Sequence, residues 1–380
     1  MIPFLSLIQR TRLHAEEINN AVAEVVNSGW YLLGKRLEQF EQEYAHYIGT
    51  RHCVGVSNGL DAITLIYRAY IELGMMQPGD EVIVPANTYI ASILAVSENG
   101  LKPVLVEPDV NTLLMNPELI EQHITPRTKS ILMVHLYGRC AWSQIVQDVC
   151  QKYDLRLVED NAQAHGCRCE KGMTGALGDA AAHSFYPTKN LGALGDAGAV
   201  TTNDNQLAEV IRTLRNYGSS RKYVFDYKGR NCRMDELQAA VLSVKLKYLD
   251  EENEKRRKIA SYYLEHLASP FISLPDPMAI NSNVWHLFPV YCGEDKSIFK
   301  WEDDGPRLRD RLRQFLLAED IETQVHYPLP PHRQQCYDEY SSLSLPITDY
   351  IHAAELSLPI GPELSLDNAA KVVSAINRFV

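Results

Sequence analysis

The sequence is short of the features that assign a chain to a membrane, a disulfide scaffold or a nucleic acid. No apolar run reaches the roughly 20 residues that a membrane helix needs. The opening M-I-P-F-L-S-L has no basic leader before a long apolar core, so no secretory signal is expected and the cytoplasm is the expected compartment. Eight cysteines are scattered at positions 53, 140, 150, 167, 169, 232, 292 and 336, without C-x-x-C pairs or the density of a disulfide framework. They are expected to be reduced and mostly buried. Positive charge is in deficit: a net charge of −11 repels nucleic acid and anionic membrane, so an anionic substrate needs a local basic site.

Nucleotide and metal fingerprints are also missing. Gly192, Gly195 and Gly198 do not follow G-x-G-x-x-G, so no dinucleotide site is read there. G-W-Y-L-L-G-K-R at 29–36 matches part of a P-loop, but Arg36 replaces the magnesium-binding Ser/Thr and a helical segment precedes it. His165, Cys167 and Cys169 have no fourth ligand at a zinc-like spacing, and no metal is expected.

What remains is a chain of 380 residues, 46% hydrophobic and 22% charged, long enough for about two or three domains or a large enzyme core with a smaller partner. From residue 52 onward, short β-branched runs alternate with helical stretches, the pattern of a mostly parallel sheet covered by helices. Strands are expected at 53–56, 81–84, 103–106, 130–135, 155–159, 181–185 and 199–202, and helices around 60–71, 89–98, 117–123, 143–152 and 205–216. The charged run E-E-N-E-K-R-R-K at 251–258 reads as a solvated helix face linking a first domain, 1–250, to a second, 251–380. Residues 293–306 read as a surface excursion. Arg215, Arg221, Lys222, Lys228, Arg230 and Arg233 form a basic island that either faces a phosphate or is a solvated loop.

The chemistry-bearing residues cluster at the carboxyl ends of the expected strands, where open α/β sheets bind ligands. In S-F-Y-P-T-K-N-L-G-A-L-G-D-A-G-A-V (184–200), Lys189 follows a strand and precedes three glycines, so backbone could close around an aldehyde joined to its amine. In L-R-L-V-E-D-N-A-Q-A-H (155–165), Asp160 ends a strand, where a carboxylate can keep a pyridine nitrogen protonated, and Gln163 could reach a phenolic oxygen. In C-V-G-V-S-N-G-L-D-A (53–62), a helix opening at Asn58, Gly59 and Leu60 offers backbone N–H groups to a phosphate, and Ser184 could add a hydroxyl. Tyr89, in P-A-N-T-Y-I-A-S, opens a helix and could stack on a flat ring.

These motifs, in this order from G-W-Y-L-L-G at 29–34 to V-H-Y-P-L-P-P-H at 325–332, resemble the DegT/DnrJ/EryC/StrS sugar aminotransferases, of the aspartate-aminotransferase-like fold type I. The resemblance implies an α/β chain with a large domain around a mostly parallel seven-stranded sheet and a smaller C-terminal α/β domain. It implies pyridoxal 5'-phosphate (PLP) as cofactor, with Lys189 as the Schiff-base lysine, Asp160 on the pyridine nitrogen, Gln163 on the phenolic oxygen and Tyr89 on the ring. Asn58, Gly59, Leu60 and Ser184 would hold the phosphate. Asn231, in N-C-R-M-D-E-L-Q-A-A, would reach the phosphate of a neighbouring subunit, implying a homodimer. Tyr186, Tyr217, Lys222, Tyr223 and His326 are candidates for the sugar-nucleotide pocket, with Lys222 on the diphosphate.

The loop K-N-L-G-A-L-G-D-A-G differs from the K-x-I/L-T-T-G-E-G-G of many C4-specific relatives and is similar to that of enzymes aminating C3 of a dTDP-3-keto-6-deoxyhexose with L-glutamate as donor. Galacto- and gluco-configured sugars are both compatible. A C4-specific transaminase and a non-catalytic, PLP-binding regulatory protein are the alternatives; retention of Lys189, Asp160 and Gln163 together argues against the latter. Two positions depart from the family pattern, His183 before Ser184 and Asn161 after Asp160.

Overall fold

A computed structural model describes residues 1–277, 280–293 and 305–380. The surface excursion expected over 293–306 lies almost wholly outside the described residues. The strands, in chain order, are β1 (His52–Val56), β2 (Glu81–Pro85), β3 (Lys102–Val106), β4 (Thr128–Val134), β5 (Arg156–Asp160), β6 (Arg168–Cys169), β7 (Gly172–Met173), β8 (Ala180–Ser184), β9 (Gly198–Thr202), β10 (Ser219–Arg221), β11 (Val224–Phe225), β12 (Ile272–Ser273), β13 (Phe288–Cys292) and β14 (Glu355–Leu358). The helices are α1 (Leu7–Arg12), α2 (Ala15–Ser28), α3 (Lys35–Ile48), α4 (Gly59–Glu72), α5 (Ile90–Glu98), α6 (Gln144–Tyr153), α7 (Asn205–Leu214), α8 (Glu236–Leu246), α9 (Leu249–His266), α10 (Gly305–Ala318), α11 (Pro346–Ala354) and α12 (Leu366–Arg378).

Seven strands form one sheet in the order β1-β9-β8-β5-β4-β2-β3, with β9 antiparallel to both neighbours and the remaining pairs parallel. Both faces are covered, which is why strands such as E-V-I-V-P read as continuous apolar runs. Val82, Leu132, Val158 and Val200 pack with α4, α5 and α7, while Ile83, Ile131, Met133 and Leu157 pack with α6. Alternate residues thus serve opposite faces. The stretch expected as a helix at 117–123 is two short 3₁₀ turns, Pro117–Leu119 and Glu121–His123, because the first is opened by Pro117 with an Asn116 cap and too few residues follow to propagate a helix.

A second core gathers around the antiparallel sheet β12-β13-β14 with α9, α10 and α12. We propose a division near residue 250, although the packing crosses it in both directions. Ile2 belongs to the second core, and Tyr337 and Leu345 belong to the first. The charged run at 251–258 is not simply a solvated face: Glu252, Asn253 and Arg256 are buried. Arg256 donates to the carbonyls of Trp285 at 3.3 Å and Ile360 at 3.2 Å, so its charge is spent on backbone that would otherwise lack donors.

Within β14, Glu355 is fully buried, and burial pushes its carboxyl up to about 8. It accepts from the His326 N–H at 2.6 Å and hydrogen-bonds to Ser357, whose Oγ lies 2.9 Å from His326 Nδ1. A folded value above the ordinary 4.5 means that the folded state holds this proton more tightly. Its stabilising contribution is therefore complete below 4.5 and is lost as pH rises to about 8. Glu355→Gln keeps shape and hydrogen bonding without the titration. Thermal melts should show the variant near wild type at the acid end and increasingly more stable than wild type as pH approaches 8. Parallel Tm curves for the two proteins would overturn this.

Candidate active site

The lysine turn begins where β8 ends. Phe185 N–H donates to the Ala197 carbonyl and Ala193 N–H to the Phe185 carbonyl, each at 2.8 Å, folding the glycine-rich loop back on itself. A Cβ at Gly192 would come within 2.5 Å of the Pro187 oxygen, and one at Gly198 within 2.4 Å of the Asn58 backbone, so these contacts demand glycine. Lys189 N–H donates to the Tyr186 carbonyl at 2.8 Å, and its side chain is half-buried. Desolvation lowers its amine to about 8, opposed by the Asp160 carboxylate. An amine so placed is available as a nucleophile close to neutral pH.

Asp160, at the end of β5, is held by two donors: the Ser92 hydroxyl at 2.7 Å on Oδ2 and the Ala162 N–H at 3.1 Å on Oδ1. Ser92 Oγ in turn lies 2.9 Å from Thr88 Oγ1. Gln163 accepts from the Tyr137 N–H at 2.6 Å and donates to Tyr327 Oη at 3.0 Å, which leaves one amide hydrogen for an outside acceptor. Tyr89 caps the start of α5 with a half-exposed ring, 4.9 Å from that of Tyr327.

The cradle expected at Asn58, Gly59 and Leu60 is the amino terminus of α4. The Asn58 side chain is committed to Asp61, accepting from its N–H at 2.8 Å and donating to its carboxylate at 2.9 Å. Among the described residues, the N–H groups of Gly59 and Leu60 have no acceptor, the usual orphan donors of a first turn. Ser184 sits against them: a Cβ on Gly59 would lie 2.6 Å from the Ser184 Cβ. Open N–H groups, a hydroxyl and a helix dipole fit a phosphate, and the buried amine opposite a carboxylate fits an aldehyde on a pyridine ring. The residues present therefore suit PLP.

Of the remaining candidates, His326 comes close to the lysine: burial, with a contribution from the Lys189 charge, lowers its imidazole to about 4. It lines a cleft of about 240 Å³ with Phe4, Thr188, His286 and Glu322. Tyr186 is half-exposed beside the turn. Tyr217, Lys222, Tyr223 and Asn231 lie on or beside the exposed β10–β11 hairpin, and among the described residues none of them hydrogen-bonds to Lys189, Asp160 or Gln163. Lys222 Nζ lies over the Tyr223 ring at 5.3 Å.

The basic island divides. Arg215 is buried and bound to Glu41 at 2.6 Å and the Gly55 carbonyl at 2.5 Å, while the half-exposed Arg230 pairs with Glu98 at 3.1 Å and Asp61 at 3.6 Å. The P-loop-like segment is likewise accounted for, because the Glu236 carboxylate accepts from the N–H groups of Gly34, Arg36 and Leu37 where a phosphate would sit.

Ser92 and Tyr327 were not anticipated; the spacing of Thr88 and Ser92, four apart at the opening of α5, is a sequence signal for the first. Arg10 was missed too: it donates to the carbonyls of Thr188, Lys189 and Asn190. His165 proves to be fully buried, with no partner among the described residues for either ring nitrogen, and burial together with the Lys189 charge lowers it to about 3. Among the described residues no cluster of His, Cys, Asp or Glu is placed to hold a metal ion, and no helix is long and apolar enough to cross a membrane.

The chain was also compared with known proteins. The DegT/DnrJ/EryC1/StrS aminotransferase family model matches residues 13–377. A dTDP-3-amino-3,6-dideoxy-alpha-D-galactopyranose transaminase from Aneurinibacillus thermoaerophilus is 51% identical over 379 residues, covering 100% of this chain and 99% of the relative. A dTDP-3-amino-3,4,6-trideoxy-alpha-D-glucose transaminase from Streptomyces venezuelae is 45% identical over 381 residues, covering 100% and 96%. The crystal structure of S. venezuelae DesV in complex with a ketimine intermediate superposes with a TM-score of 0.92 at 45% identity, covering 100% of this chain and 99% of that one. With a fold type I architecture around Lys189, the chain belongs to the DegT/DnrJ/EryC1/StrS family of PLP-dependent aminotransferases.

Proposed function

We propose that the chain transaminates a dTDP-3-keto-6-deoxyhexose, taking the amino group of L-glutamate and yielding a dTDP-3-amino-3,6-dideoxyhexose. The observation that carries this reading is the Lys189 amine, lowered to about 8 and opposed by Asp160, beside an open helix amino terminus. Bound PLP supplies an aldehyde for that amine and a ring that withdraws electrons from the reacting carbon. Asp160 holds the proton on the ring nitrogen, steadied by Ser92. Gln163 orients the phenolic edge, and Gly59, Leu60 and Ser184 bind the phosphate. Lys189, once freed, would carry the proton from the Cα of the donor to the PLP carbon that bears the aldehyde, a role suited by a pKa near working pH.

Regiochemistry at C3 is supported by the loop after Lys189 and by the greater likeness to 3-amino-sugar transaminases; the galacto configuration is favoured by the higher identity to that relative. Tyr186, Tyr217, Lys222, Tyr223 and His326 are assigned to the sugar nucleotide, with Lys222 on the diphosphate. A homodimer is supported by the exposed Trp30, Tyr31, Tyr223 and Phe225, and Asn231 would complete the partner's phosphate site. The enzyme would work in the cytoplasm, supplying amino sugar for a surface polysaccharide such as lipopolysaccharide O-antigen, or for a glycoside.

Purified protein with PLP and L-glutamate should aminate the galacto-configured dTDP-3-keto-6-deoxyhexose faster than its gluco epimer, read by mass spectrometry. No product from either sugar would refute the substrate class. Lys189→Ala should abolish turnover, since proton transfer by a placed base alone contributes about 10²–10⁴-fold.

The pH dependence has a definite sign. The amine must be neutral to attack an aldehyde, so the rate at which apoprotein captures PLP should rise with pH and level off above about 8, instead of climbing toward the ordinary 10.5. Absorbance-monitored capture at a series of pH values measures the midpoint. Ser92→Ala removes a hydrogen bond to a carboxylate, worth about 1.5–3 kcal/mol. Equilibrium titration should then show PLP held about tenfold or more less tightly, and unchanged affinity would count against the Ser92–Asp160 arrangement.

A further inference from the structure

We infer that Arg10 is a positioning residue for Lys189, clamping the backbone from which the reactive amine extends; this rests on the reading of Lys189 as the residue joined to PLP. Arg10 lies in α1, outside the sheet, and is 3% exposed. Its guanidinium donates to three successive carbonyl oxygens, those of Thr188 at 3.1 Å, Lys189 at 2.9 Å and Asn190 at 3.2 Å. Its Nε lies 4.0 Å from the Glu363 carboxylate, which also accepts from the Ser6 N–H at 3.2 Å and so ties down the start of α1.

The consequence for Lys189 is specific. Its N–H is bound by the Tyr186 carbonyl and its own carbonyl by Arg10, so the backbone is held on both sides of Cα. Asn190 is fixed in turn, donating to Asn253 at 2.8 Å and the Val284 carbonyl at 2.9 Å, and Lys245 donates to the Gly192 carbonyl. The moving part is then the lysine side chain alone. A residue that must release one partner and carry a proton to another benefits from such an anchor, because a misplacement of about 1 Å can cost on the order of 10²-fold in rate.

Guanidinium geometry matters. N–H donors fixed in one plane can serve three carbonyls at once while the charge faces the Glu363 carboxylate, whereas an ammonium is a point donor on a flexible stem. Arg10→Lys preserves charge and approximate length but not this fork, which makes it the informative variant. Asn190 and Lys245 continue to hold the rest of the loop, so the fold should survive.

The test compares wild type, Arg10→Lys, Arg10→Ala and Lys189→Ala. Each is loaded with PLP, its cofactor absorbance is titrated against pH, and a single turnover with L-glutamate is followed by stopped flow. Arg10→Lys should keep a cooperative melt and bound cofactor, shift the midpoint of the absorbance titration, and slow the single turnover by about tenfold or more. Apparent glutamate affinity should change by less than about threefold, because the hydrogen bonds of Arg10 go to backbone carbonyls. Free guanidinium at non-denaturing concentration should restore part of the rate to Arg10→Ala. A wild-type rate and midpoint in Arg10→Lys would overturn the inference, and if Arg10→Ala does not fold, Arg10→Lys decides alone. Should Lys189→Ala keep the pH-sensitive band, the reading of Lys189 itself fails. Loss of that band with a wild-type Arg10→Lys overturns only the role of Arg10.

Discussion

Desolvation of one amine organises this active site. Water stabilises an ammonium far better than protein does, so half-burying Lys189 lowers its pKa to about 8 even with Asp160 opposing. The imidazoles around it obey the same constraint. His165 falls to about 3, His326 to about 4 and His286 well below its ordinary value, in each case through burial with the Lys189 charge adding to it. Three histidines are thereby kept neutral in a region where a second cation would compete with the lysine. They can serve as hydrogen-bonding or packing groups without disturbing its protonation.

Neighbouring carboxylates on β5 show how the strand separates structure from chemistry. Glu159 is fully buried and saturated: it accepts from the N–H groups of Gly175, Leu177 and Gly178 and pairs with His135 Nε2 at 2.8 Å. His135 Nδ1 accepts from the Ala141 N–H at 2.9 Å, fixing its tautomer with the proton on Nε2 toward Glu159. This ties down the loop carrying Tyr137, the residue that holds the Gln163 amide. Asp160, one residue on, takes the opposite direction along the pleat and keeps lone pairs open. The first acid secures the scaffold on which the second and Gln163 are aimed.

The strands that carry Asp160 and Lys189 were legible in the sequence as short apolar runs: Asp160 closes β5 and Lys189 lies five residues beyond β8, at the carboxyl ends where an open α/β sheet exposes groups to a ligand. Their supports were not. Ser92 lies 68 residues from Asp160, Tyr327 lies 164 from Gln163, and Arg10 lies 179 from the carbonyl it binds, so only the folded chain brings them together. The 251–258 run misled for a different reason. Its charges obscured a buried stripe of Glu252, Arg256, Ile259 and Tyr263 at helical spacing, in which two of the inward positions are acidic or basic. Arg215 was hidden similarly, its burial paired with Glu41 from another helix. Charge density reads as solvent exposure unless the partner is known.

The two departures from the family pattern, Asn161 and His183, meet in one buried network. Asn161 Nδ2 donates to His183 Nδ1 at 3.2 Å and to the Thr174 carbonyl at 3.3 Å, and Tyr44 Oη lies 2.9 Å from the same imidazole nitrogen. With Nδ1 accepting, His183 Nε2 carries the proton and donates to Thr201 Oγ1 at 2.8 Å, whose hydroxyl donates on to the Gly175 carbonyl at 2.7 Å. Such a network requires a neutral imidazole, and burial holds the His183 pKa well below its ordinary value. Each of the two residues also keeps a second partner, Tyr44 for His183 Nδ1 and the Thr174 carbonyl for Asn161 Nδ2, so the bond between them adds to contacts that both already have. Their place directly behind Asp160 and Ser184 puts directional bonds where the family pattern has small or apolar residues, so the carboxyl ends of β5 and β8 are tied to one another through Asn161 and His183.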